Sequence, residues 1–142
     1  MKKLLLTTVL ALAVTCAMFV GPAAATHPPT LDTYYGKAYV SSQYNNVQST
    51  SATVTASLLD KNDGHCASLY SRAILRDSNG YTYKGTPKRI VVNCSTTSWV
   101  TRSADFNVSS GVNKIITGFE SRICQATSAG VTSGACTQWV RT

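Results

Sequence analysis

Acidic side chains are scarce in this chain: six Asp and Glu stand against thirteen Lys and Arg in 142 residues, with only two histidines. That shortage removes function classes. Paired carboxylates for glycoside hydrolysis would have to come from Asp32, Asp60, Asp63, Asp77, Asp105 and Glu120. Asp60, Asp63 and Asp77 fall in or beside polar turns, and Asp32 lies near the loose N-terminal end. Asp105 and Glu120 read as strand residues facing solvent beside Arg102 or Arg122. His27 falls in the N-terminal tail, which leaves His65 in the folded body. It stands next to Asp63 and Cys66 in a turn, and no Gly-x-Ser-x-Gly segment presents a nucleophile. The chain is expected not to be an enzyme and to use no cofactor. Metal binding is not expected either: in Asp60-Lys61-Asn62-Asp63-Gly64-His65 the glycine is fifth rather than sixth, and Ser71 stands where a calcium loop carries its bidentate Glu.

Long apolar runs are equally scarce, with one exception at the start. Met1-Lys2-Lys3 is a charged n-region, Leu4 to Val20 an apolar h-region, and Gly21-Pro22 precedes Ala23-Ala24-Ala25, a small-residue cleavage signal. The run is short for a membrane span, which needs about 20 residues, and it contains Thr7, Thr8 and Thr15. Residues 1–25 are therefore expected to be a cleaved secretory signal, 26–32 an extended lead-in and 33–142 a single domain, with no membrane span after cleavage. The product would be extracellular, and the short Lys-Lys signal suits a bacterium. Removing 25 of the 142 residues leaves 117; losing Lys2 and Lys3 lowers the net charge from +7 to +5, and the apolar share drops from 44% to about 38%.

Cleavage also discards Cys16, leaving Cys66, Cys94, Cys124 and Cys136. An even number of cysteines in an exported chain predicts two disulfides, and oxidised thiols leave nothing for a Cys/His pair or for zinc. Four cysteines allow three connectivities; strand parity favours 66–94 with 124–136.

Helical periodicity is absent too. Ala52, Val54, Ala56 and Leu58 alternate with Thr53, Thr55 and Ser57, the period-two signature of a half-buried strand. Further strands are expected over 33–41, 66–76, 81–83, 89–94, 97–108, 113–126 and 136–141. They are punctuated by turns at 60–64, at 77–80 with its Asn-Gly pair, and at 109–111. Short strands at this spacing predict an all-β, antiparallel sandwich of about seven strands. Ile115, Phe119 and Ile123 share one parity and Cys124 the other, so a 124–136 bridge would leave the sulfurs outside and turn Trp139 inward with Ile123. The segment from Arg122-Ile123-Cys124-Gln125-Ala126 through Gly130-Val131 to Trp139-Val140 resembles the last hairpin of fibronectin type III and other immunoglobulin-like domains. That resemblance covers about twenty residues. It implies an immunoglobulin-like topology and carries no activity with it.

What the chain does have is tyrosine and basic residues. Tyr35, Lys37 and Tyr39 share one parity in the first strand, as do Tyr70, Arg72 and Arg76 in a later one. Tyr with Lys or Arg can stack on sugars, hold acidic polymers or anchor a protein. These six residues are the candidate binding face. The expected function is that of a secreted, non-catalytic module for a glycan or an acidic polymer of the cell envelope or surroundings. The competing expectation is an effector or hydrolase inhibitor acting on a protein partner through the bridge-closed loop 125–135, and a spacer role is the third. Nucleic acid is not an expected partner, since the basic residues are scattered and the chain is exported. Asn93-Cys94-Ser95 and Asn107-Val108-Ser109 are sequons that matter in a eukaryotic host alone.

Overall fold

A computed structural model describes residues 30–46, 48–61, 64–109, 113–128 and 131–142, Ser133 without its side chain. The expected signal segment, residues 26–29, Asn62 and Asp63 of the polar turn, and residues 129 and 130 lie outside the described residues. Among those described there is no helix. Ten strands run β1 (Thr30–Asp32), β2 (Gly36–Tyr44), β3 (Ser51–Asp60), β4 (Cys66–Asp77), β5 (Thr82–Lys84), β6 (Lys88–Asn93), β7 (Val100–Asn107), β8 (Lys114–Ala126), β9 (Thr132–Cys136) and β10 (Val140–Arg141). The expected count was about seven. The difference lies in short pieces: β1, β5 and β10 have three residues or fewer, and the last expected strand is broken into β9 and β10 around 137–139. Thr30–Asp32, expected in the lead-in, pair with β2 and bury Leu31.

All pairings are antiparallel. One sheet, A, has the order β1-β2-β3-β7. In the other, B, β8 lies along the length of β4; the far side of β4 takes β6 and then β5, and the far side of β8 takes β9 and β10. The period-two pattern of β3 appears as strict alternation, with Ala52, Val54, Ala56 and Leu58 fully buried. Those four, with Ala38, Val40 and Phe106, form sheet A's share of one core. Ala67, Leu69, Ala73, Ile90, Val91, Ile116, Phe119 and Ile123 form sheet B's share. Phe106 meets Phe119 edge to face at 5.1 Å, and burying side chains of this size contributes about 1.5–3 kcal/mol each.

Both bridges are present, Cys66–Cys94 and Cys124–Cys136, and both lie within sheet B or at its margin. Two expectations about β8 need correction. Ile74 faces Gly118 and Leu75 faces Ile116, so Thr117 is an extra, bulged residue that reverses the alternation. Ile116 therefore joins Phe119 and Ile123 inside, and Ile115 is exposed. Trp139 does not turn inward: its ring lies on the outer side with Arg72 and Arg122. Cys124 shares that outer side but is fully buried.

Candidate functional site

The six candidate binding residues do not form one face, because β2 and β4 belong to different sheets with the core between them. Tyr35 precedes β2 and packs against the core, with Tyr34 edge-on at 5.6 Å. Lys37 and Tyr39 point outward from sheet A. Tyr70 and Arg72 point outward from sheet B. Arg76, beyond the bulge, is in register with Thr82 and Ile115 and lines a shallow groove with Gln48, Asp77 and Lys114.

On sheet A, Gly36, Ala38 and Val40 go inward and Lys37 and Tyr39 outward. Trp99 reaches Tyr39 from the segment before β7; their rings stack at 5.1 Å and 29°, and both stay about 40% exposed. Lys37 Nζ lies 5.9 Å from the Tyr39 ring centre. Asn93 holds the segment that presents Trp99. It is 3% exposed, and its side-chain nitrogen donates to the Leu58 carbonyl at 2.8 Å and to the Ser98 carbonyl at 2.6 Å. Its oxygen accepts from the Ser95 N–H at 2.8 Å. With its amide buried and committed in this way, Asn93 cannot serve as a sequon acceptor in the folded chain. Beyond the aromatic pair, short polar side chains cross from β3 to β7 rung by rung: Ser57–Thr101 at 2.7 Å, Thr55–Ser103 at 2.8 Å, Thr53–Asp105 at 2.7 Å and Ser51–Asn107 at 2.7 Å. At the sheet's other edge, Lys61 pairs with Asp32, and that hydrogen bond holds the Asp32 carboxyl below its usual range.

On sheet B the outward residues are largely occupied by one another. Tyr70 is in register with Arg122, and Arg72 with Glu120. Arg72 Nε donates to Glu120 at 2.9 Å, while Lys84 takes the other carboxylate oxygen. The Lys84 hydrogen bond first, and then Arg72, hold the Glu120 carboxyl below its usual range against the opposing effect of burial. The Arg72 and Arg122 guanidiniums lie 4.3 and 4.5 Å from the Trp139 ring centre, a cation–π arrangement that favours both charges where water is partly excluded. Arg122 Nε is buried with no hydrogen-bond partner among the described residues. Tyr70 shares a 2.6 Å hydrogen bond with Thr132.

The bridge-closed loop 125–135 is narrower than expected. β8 continues to Ala126, β9 begins at Thr132, and Thr127 N–H donates to the Val131 carbonyl at 2.9 Å. The connection from β2 to β3 is also short: β2 runs on to Tyr44, and the Asn45 N–H donates to the Ser51 carbonyl at 2.8 Å. Five of the six acids fall in strands, Asp32, Asp60 and Asp105 on sheet A and Asp77 and Glu120 on sheet B, with Asp32, Asp60 and Asp77 at strand ends beside turns. His65 is exposed beside the Cys66–Cys94 bridge.

Sequence reasoning missed Trp99 and turned Trp139 inward. Trp99 shares the parity of the outward Thr101, which was a usable signal; Trp139 falls between strands, where parity says nothing.

No protein-family model matches the chain, and no curated protein matches it. Among solved structures, one described as "X-ray structure of Northeast Structural Genomics Consortium target SoR45" is similar with a TM-score of 0.44. Its identity is 16%, over 78% of this chain and 87% of its own.

Proposed function

We propose that this chain is a secreted, non-catalytic module of immunoglobulin-like sandwich build, with about seven principal strands, that holds an extracellular or cell-envelope glycan on the outer face of sheet A. The observation that carries this reading is the exposed Tyr39–Trp99 stack beside Lys37 and the Ser/Thr rungs. Aromatic faces offer a sugar ring a large apolar contact at low entropic cost. Short hydroxyls and amides on the outer face of the sheet supply adaptable hydrogen bonds to its hydroxyl groups. Lys37 favours sugars that carry carboxylate or phosphate, and two bridges in a small domain suit an oxidising compartment. Sheet B supports the reading less well, because Glu120 and Trp139 already engage Arg72 and Arg122.

The test is a glycan array together with pull-down on insoluble envelope polysaccharide, comparing the native chain with Tyr39→Ala/Trp99→Ala and with Arg72→Ala/Arg122→Ala. The first variant is expected to lose at least tenfold in binding and the second to keep it. Unchanged binding in the first variant overturns the proposal, and loss confined to the second transfers the site to sheet B.

A further inference from the structure

Between the two sheets, at the end of β7 away from Trp99, the described residues leave the core open. β4 exchanges its partner β6 for β5 between Ser71 and Ile74, and the connecting Gly85–Pro87 segment swings outside, with Gly85 N–H donating to the Ala73 carbonyl at 2.8 Å. The result is a cleft of about 440 Å³, within the range of small-molecule sites, which start near 300 Å³. Its floor continues the core: Ala73, Phe106 and Ile116 are core members, and Leu75 and Val108 pack against them. Its rim is cationic, formed by Lys84, Lys88 and Lys114, and no acidic side chain is among its described lining residues.

The three lysines differ in what holds them. Lys84 is paired with Glu120 on the outer face of sheet B. Lys88 Nζ donates to the Asp105 carbonyl at 2.6 Å and lies 5.1 Å from the Phe106 ring centre; Lys114 Nζ lies 4.1 Å from that of Tyr83. Lys88 and Lys114 are thus set over aromatic rings at the mouth of a cleft whose floor is apolar. Such an arrangement complements a ligand with an apolar body and an anionic head: the body removes apolar surface from water, and the head meets the ammonium groups of the rim.

We infer that this cleft is a binding site for an amphipathic anion, an alkyl chain or ring bearing a carboxylate or phosphate. It shares no residue with the Tyr39–Trp99 face, and the eight residues of β7 separate the two sites by roughly 25 Å. Success or failure here leaves the glycan proposal where it stands.

The experiment titrates the full mature chain with decanoate, decyl phosphate, decanol and decyltrimethylammonium below their micellar concentrations, by calorimetry and by amide chemical shifts. Decanoate or decyl phosphate is expected to bind one to one, at least tenfold more tightly than decanol or the cationic amphiphile, with shifts at Gly85, Thr86, Val108 and Ser109. The tighter of the two anions tells a free fatty acid from a phosphorylated lipid. Lys88→Gln and Lys114→Gln should each weaken the anion at least threefold without changing decanol. Val108→Trp, which fills the half-buried wall without altering a charge, should abolish binding while the melting temperature is kept. Equal affinity for decanol and decanoate, equal affinity for the cationic amphiphile, shifts clustered elsewhere, or no saturable binding of either anion overturns the inference.

Discussion

The outer faces of the two sheets are built from opposite materials. Sheet A presents short Ser and Thr side chains that hydrogen-bond straight across to β7, ending in a stacked, exposed aromatic pair. Sheet B presents long side chains, Arg72, Arg122, Lys84 and Glu120, folded over Trp139 and one another. Sheet B also holds both disulfides. On sheet B, Arg72, Arg122 and Lys84, part of the basic excess that first suggests a binding surface, are internal to a network. Residues of little individual character leave the outer face of sheet A accessible. Charge in a composition is therefore a poor guide to where a small β-domain is free to bind, because long charged side chains satisfy each other when register brings them together.

If sheet B is the stapled, self-satisfied half, breaking its staples has the largest effect. Cys66→Ala/Cys94→Ala opens a bridge spanning 28 residues and should lower stability by about 3–4 kcal/mol, read as a shift of the urea midpoint at constant m-value. A loss below about 1 kcal/mol would mean that the core alone holds β4 against β6. The next effect comes from the two tryptophans. Trp139→Ala removes a half-buried ring and two guanidinium contacts and should cost about 2 kcal/mol. Trp99→Ala, on a ring that is 42% exposed, should cost under about 1 kcal/mol while removing glycan binding. Equal costs for the two in thermal or chemical unfolding would erase the distinction between a structural face and a presenting one.

Much of the fold was legible because it is written in short-range periodicity. The alternation of Ala52, Val54, Ala56 and Leu58 with hydroxyls survives intact as β3, and the parity of Cys124 and Cys136 pointed to the bridge they form. Parity failed where its premise failed. The bulge at Thr117 inserts one residue and exchanges the faces of Ile115 and Ile116; its local mark, the isolated glycine Gly118 inside the strand pattern, went unread. The six candidate binding residues do not share one face for a different reason. Parity tells which residues of one strand share a face but not which sheet the strand joins, so Tyr39 and Arg72 were placed together although the core divides them. Trp139 was legible as a large side chain near a bridge. Its partners Arg72 and Arg122 come from β4 and β8, and only tertiary register brings those three together.

The smallest effect tests whether sheet B's network is held by its one acid. Glu120 is 16% exposed and lies between Arg72, at 22%, and Lys84, at 44%. Its carboxyl is held below the usual glutamate range, first by the Lys84 hydrogen bond and then by Arg72. A folded pKa below the unfolded value, about 4.3 for glutamate, gives stability that is fully present above that value and is lost as pH falls through the folded one. Glu120→Gln should therefore be less stable than the native chain at pH 7 by about 1 kcal/mol. The two denaturation curves should converge in acid, once the native carboxyl is also protonated. Asp32 with Lys61 on sheet A titrates in the same direction, but those side chains are 55% and 41% exposed, so solvent screens the pair and Asp32→Asn should leave the acid limb almost unmoved. If Asp32→Asn flattened that limb as much as Glu120→Gln, the electrostatic asymmetry between the sheets would be refuted. If neither did, Trp139 rather than Glu120 would be what keeps Arg72 and Arg122 in place.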